Sequence, residues 1–326
     1  MAPERITKLP SAKIAKVAAL VAVLIVAVVI GAIIVPKPSQ HTYVPTPQVA
    51  ETPQAPPPYV RLRVEAYETE AHWTRDYSTD LPFYISVIVY AAYNDGTAQA
   101  DNVLITITVD GSVFQEFSTY IGSGSYTSGN FQLSFGYDTS HEVSVSASHR
   151  QSTDTKAISI NAILPRSTMT ADIWKLFVTP NDPVVKNTLD LILRSYPLVP
   201  KWMAIRDWVA SNIQYAYDDQ VYGGNYWQLP RETLQHGTGD CEDYAILLVS
   251  LYRAVGYDDN RVFVVLGYTS RGYHGWAKIH VDVIGWRYIE PQEGGILAII
   301  DIFGSVSASE FTPQYEFNDI YAYQVT

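Results

Sequence analysis

Gly237-Thr238-Gly239-Asp240-Cys241-Glu242-Asp243-Tyr244-Ala245-Ile246-Leu247-Leu248 is the stretch on which the fold turns. Its two glycines permit a tight approach, Asp240 is a helix-capping residue type, and Leu247, Leu248, Leu251 and Ala254 follow at helical spacing up to Gly256. The spacing predicts a buried helix whose first residue is Cys241. A thiol placed there meets unpaired backbone N–H groups and the positive end of the helix dipole, both of which favour thiolate. Asp240, Glu242 and Asp243 oppose that effect with three nearby negative charges, so an activated thiol needs a cationic partner. Cys241 is the one cysteine of the chain, which excludes an intrachain disulfide framework and a multi-thiolate metal site.

Outward from this helix, Val262 to Tyr268, Trp276 to Val283 and Trp286 to Ile289 read as strands. On the N-terminal side, Asp182-Pro183 is a cap and first-turn pair followed by Val185, Leu189, Ile192 and Tyr196. Pro200 then precedes a second helical stripe of Trp202, Ile205, Val209 and Ile213. Helices, a cysteine-bearing helix and antiparallel strands predict an α+β domain over 165–326. The histidines that could partner the thiol are His236, His274 and His280. If one strand carries the last two, six residues hold them roughly 20 Å apart, so only one can reach the sulfur. His274, beside Gly275 at the strand's start, is the natural site-edge residue, and His280 reads as framework.

Gly239-Asp240-Cys241 opening a helix, His274-Gly275-Trp276 opening a strand, and Trp286-Arg287-Tyr288-Ile289-Glu290-Pro291 together resemble the transglutaminase-like superfamily of papain-type fold. The resemblance runs from about Asp182 to Pro291. It implies a triad of Cys241, His274 and Glu290, with Glu standing where the family more usually has Asp. Cys241 would attack an acyl carbon, His274 would move the proton, and Glu290 would fix the imidazole. The Cys241 backbone N–H would hold the oxyanion, with Gln235 or Gln228 as candidate second donor. The Gly-Asp-Cys-Glu-Asp-Tyr-Ala run is more similar to bacterial transglutaminase-like cysteine proteinases than to animal cross-linking enzymes. That implies a thiol peptidase or amidase working through an acyl-thioester on surface proteins or peptides. The alternatives are an amine-transferring transglutaminase and a non-catalytic cell-surface adhesion or scaffold protein. No cofactor is required, although the resemblance implies calcium on Asp240 and Glu242, whose hard oxygens suit that ion.

The remaining 164 residues carry no comparable cluster. From Tyr59 to Leu164, alternating runs such as Tyr84 to Tyr90, Val103 to Val109 and Val143 to Ala147 predict an antiparallel β-sandwich, and Tyr93-Asn94-Asp95-Gly96 through Ala100-Asp101-Asn102-Val103 resembles immunoglobulin-like adhesion modules. Asn94-Asp95-Gly96 and Asp110-Gly111 read as hairpin turns. Residues 36–58 are proline-rich and read as a semi-rigid linker. Val17 to Val35 is uncharged and would span roughly 28 Å as a helix, enough for a bilayer's hydrocarbon. Arg5, Lys8, Lys13 and Lys16 precede it, so residues 1–16 are expected to be a cytoplasmic tail, 17–35 a single-pass transmembrane helix in the cell membrane, and the rest extracellular. The chain has 326 residues and a formal charge of −11, which argues against general electrostatic binding to nucleic acid.

Overall fold

The protein is described by a computed structural model covering residues 54–292, 294 and 310–325, apart from 151 and 168. Residues from Pro56 onward form one compact unit. Its first half is a two-sheet sandwich of β1 (Leu62–Arg75), β2 (Pro82–Asn94), β3 (Ala100–Val109), β4 (Ser112–Ile121), β5 (Ser125–Gly136), β6 (Thr139–His149) and β7 (Ser152–Ala162). One sheet runs β1-β2-β5 and the other β4-β3-β6-β7, antiparallel throughout. The alternating residues do what their period demands, burying Ile88, Ile105, Ile107, Val143 and Val145 between the sheets. Asp110 and Gly111 both have positive φ and turn β3 into β4, as hairpin chemistry requires. Asn94-Asp95-Gly96 is not a hairpin turn: it crosses from one sheet to the other. Gly96 is needed there for close approach, since a Cβ would lie 2.2 Å from the Tyr59 carbonyl oxygen.

The second half begins with α1 (Ala171–Lys175), α2 (Pro183–Ser195) and α3 (Lys201–Asn212), then β8 (Gln214–Tyr215), α4 (Asp218–Val221), α5 (Pro230–His236) and β9 (Thr238–Gly239). Asp182 caps α2 by accepting from the Val184 N–H at 2.8 Å. Next come α6 (Cys241–Ala254), β10 (Val262–Thr269), β11 (Gly272–Val281), β12 (Gly285–Ile289), β13 (Thr312–Phe317) and β14 (Ala322–Gln324). The last five strands make one antiparallel sheet ordered β12-β11-β10-β13-β14. Helix α6 is buried from Glu242 to Tyr252. Its Leu247, Leu248 and Leu251 pack with Val264, Ala277 and Ile279 of the sheet in a core separate from the sandwich's. Each such fully buried leucine contributes roughly 1.5–3 kcal/mol, so burial, rather than intrinsic propensity, anchors the cysteine-bearing helix.

The fold class expected from the sequence needs correction in two respects. Among the described residues no helix is long and apolar enough to cross a membrane. Val17–Val35, on which the transmembrane helix and the cell-surface topology rested, lies outside them. The architecture is also mostly β-sheet, with the α-helices of the described residues confined to Ala171–Ala254. The sequence reading underweighted strand because it found no signal for β13 and β14, which are short and close the sheet's far edge.

Candidate active site

Three glycines set the approach of the site's elements. Gly237, with φ of 68°, ends α5 in the left-handed conformation that glycine adopts freely. A Cβ on Gly239 would lie 2.7 Å from the Cβ of Asp243. A Cβ on Gly275 would meet the Glu242 Cα at 3.0 Å and the Cys241 carbonyl at 3.2 Å. Strand β11, which carries His274, therefore passes backbone against backbone at the start of α6, which carries Cys241. Both residues, with Glu242, Tyr273 and Gly275, line a cavity of about 220 Å³. Trp174, Trp227, Leu266 and Met169 supply much of its apolar wall.

His274 Nε2 and Glu290 Oε2 are 2.7 Å apart. Glu290 follows β12, and the Ala277–Ile289 pairing sets that end of β12 beside the middle of β11, three residues past His274. The second carboxylate oxygen accepts weakly from the Gln292 N–H at 3.4 Å. Glutamate's longer reach thus still holds the imidazole. His280 lies on the same strand with its ring against Trp286, 5.3 Å between centroids, and does not line the cavity.

Charge around the sulfur runs against thiolate. Cys241 Sγ donates to Glu242 Oε2 at 3.3 Å. Burial pushes the thiol's pKa up, Glu242 and Asp240 push it further, and the Gly275 N–H pulls the other way. Burial likewise raises Glu242, reinforced by Asp240. Asp243 is pushed up to about 8 by burial, although Gln228 bonds to it, and Asp218 up to about 6 for the same first reason.

The glutamines have other work. Gln228 is buried, and its Nε2 donates to Thr238 O at 3.1 Å and Asp243 Oδ2 at 2.8 Å, which uses both amide hydrogens. Gln235 is exposed on α5, and neither glutamine is among the cavity's lining residues. His236, also exposed, pairs with Gln228 Oε1 at 2.9 Å. Asp240 is the N-cap of α6 in a capping box with Asp243: its own N–H donates to Asp243 Oδ2 at 3.3 Å, and its Oδ1 is buried without a partner. Sequence reasoning missed Trp174, Trp227 and Tyr273 as site walls. They sit at irregular spacing, and their aromatic character is shared with many core residues.

Residues 193–291 match the family model described as the transglutaminase-like superfamily. This segment contains α6, β10, β11 and β12 and ends one residue past Glu290. No curated protein matches the chain. Among solved structures, EGTA-treated Legionella pneumophila LapG is similar at 17% identity and a TM-score of 0.35, covering 49% of this chain and 80% of that one. Calcium-bound LapG gives 18% and 0.34, covering 48% and 82%. The CARDB domain of PF1109 from Pyrococcus furiosus is similar at 8% identity and a TM-score of 0.27, covering 33% of this chain and 98% of that one.

Proposed function

We propose that the transglutaminase-like core is a thiol peptidase acting on protein or peptide substrates. The observation that carries this reading is the 2.7 Å His274–Glu290 pair opening on the cavity that Cys241 lines. With Nε2 engaged by Glu290, Nδ1 is the ring nitrogen left for the thiol. His274 takes the sulfhydryl proton as Sγ attacks the acyl carbon, and the Cys241 N–H steadies the oxyanion. The imidazolium then protonates the leaving amine, giving an acyl-thioester. Water, deprotonated by His274, hydrolyses it and restores the thiol.

Calcium fits the acidic groups around the sulfur. Asp240 Oδ1 and Glu242 Oε1 are buried without hydrogen-bond partners, and ligand atoms of Asp240, Cys241 and Glu242 lie within 4.8 Å of one another. Asp218, Asp240 and Asp243 make a second such group sharing Asp240. Carboxylate oxygens suit Ca²⁺, which when bound would offset the negative charge that disfavours thiolate.

The test is hydrolysis of dye-labelled casein by the parent and by Cys241→Ala and His274→Ala. Both variants should lose activity, His274→Ala by about 10²–10⁴-fold. A parent that neither cleaves casein nor transfers its acyl groups to an added primary amine, with or without millimolar calcium, would remove the enzyme reading and leave a binding module. Transfer without hydrolysis would favour cross-linking instead.

A further inference from the structure

Arg166 lies in the segment joining the sandwich to the transglutaminase-like core, and its side chain is 8% exposed. A guanidinium is expensive to bury unless its donors are matched. Here Nη1 donates to Glu232 Oε2 at 2.7 Å and to the Trp227 carbonyl at 3.0 Å. Nη2 donates to Glu232 Oε1 at 3.0 Å and to Asp138 Oδ2 at 2.5 Å, which leaves only Nε buried without a partner. Glu232 belongs to α5, whereas Asp138 sits in the β5–β6 turn of the sandwich. The Tyr226 ring lies 4.8 Å from the guanidinium carbon.

The backbone repeats the connection. The Trp227 N–H donates to the Arg166 carbonyl at 3.0 Å, so the two residues hold each other through both main chain and side chain. Their neighbours are the cavity: Ser167 and Met169 line it from the connector, and Asn225 and Trp227 from the facing loop. One residue further, the Gln228 N–H and amide donate to Asp243 at 2.7 and 2.8 Å, and Asp243 accepts from the Asp240 N–H at the head of the cysteine helix.

We propose that Arg166 and Asp138 are positioning residues for the substrate cavity, so that the sandwich holds the cavity wall of residues 225–228 in place. The sandwich is then a working part of the site, beyond a spacer or binding module. This rests on the peptidase reading only for what the cavity receives; the clamp itself does not depend on it. Asp138 has a φ of 55°, which Asn tolerates, so Asp138→Asn removes the charge with little backbone strain. Arg166→Lys keeps one charge but cannot fork to two carboxylates and a carbonyl.

Hydrogen exchange on the full chain reads the clamp directly. In both variants the amides of Trp227 and Gln228 should exchange about tenfold faster or more, while those of β2 and of α6 beyond its first turn stay at parental rates. Inactivation of Cys241 by a peptidyl fluoromethyl ketone reads the cavity. Its half-saturating concentration should rise about tenfold with the limiting rate within about twofold, since β11, β12 and α6 still carry the reacting groups. Unchanged exchange at Trp227 and Gln228 in both variants overturns the clamp. Faster exchange with unaltered half-saturation overturns its positioning role. A parent inert to the reagent but loosened at residues 227 and 228 by Asp138→Asn supports the clamp and counts against the peptidase reading alone.

Discussion

Cys241 stands among charges of the wrong sign for a nucleophile. Burial, Glu242 and Asp240 all hold its proton on, against a single favourable contact from the Gly275 N–H. A helix N-terminus contributes less than a unit of charge, and burial together with Glu242 and Asp240 outweighs it. The thiol should therefore be sluggish toward iodoacetamide at pH 7 in chelator, slower than an ordinary exposed thiol. Glu242→Gln, which keeps the side chain's shape but never ionises, should speed alkylation in chelator, and more so as pH rises and Glu242 takes up its charge. Millimolar calcium should speed it in the parent, about tenfold for each unit by which the thiol's pKa falls. Alkylation rates unmoved by both changes would show that the carboxylates do not govern the sulfur. Calorimetry without a calcium heat would separately remove the ion.

At the scale of elements, the site depends on how closely β11 passes the start of α6. Gly275→Ala places a methyl group 3.0 Å from the Glu242 Cα, a backbone atom that cannot swing aside. The variant should lose about 1–3 kcal/mol of stability and at least about a hundredfold in activity, because His274 moves with the strand. Parental turnover in this variant would show that the strand's approach does not set the imidazole. Cys241 and His274 could be singled out from the sequence by local signals, a capped helix start and a glycine beside a strand, whereas Glu290 entered only through the resemblance of the Trp286–Pro291 block. Gln228 was misread because a free amide and one wedged between Thr238 and Asp243 have the same sequence appearance. The clamp was illegible for a different reason. Asp138, Arg166, Trp227 and Glu232 belong to four separate segments, and no periodicity links a sandwich turn to a loop nearly ninety residues later. The hairpin expected at Asn94-Asp95-Gly96 failed because its glycine serves contact with Tyr59, while Asp110-Gly111 serves conformation.

For the whole molecule, buried acids make stability run against pH. Asp218 and Asp243 are raised to about 6 and about 8 in the fold, from the ordinary aspartate value of 3.8, and Glu242 is raised as well, all by burial first. An acid whose folded pKa exceeds its unfolded one binds more protons when folded, so its contribution is complete below about pH 4 and is lost as pH rises through the folded value. Asp76 and Asp110, whose pKa values are lowered by hydrogen bonds, act in the opposite sense but only at more acidic pH, outside this window. Thermal unfolding in chelator should therefore shift downward between pH 5 and pH 8.5, on the order of 5–10 °C if the buried acids together lose a few kcal/mol. Calcium adds a second dependence of opposite slope. Its ligands must be ionised, so the ion competes with the protons and stabilises more as pH rises. The gap between the calcium and chelator curves should widen steadily from pH 5 to pH 8.5, and Asp240→Asn should narrow it. A midpoint in chelator that stays flat or climbs over this range would mean that the buried carboxylates are ionised without penalty, and burial would not be what raises them.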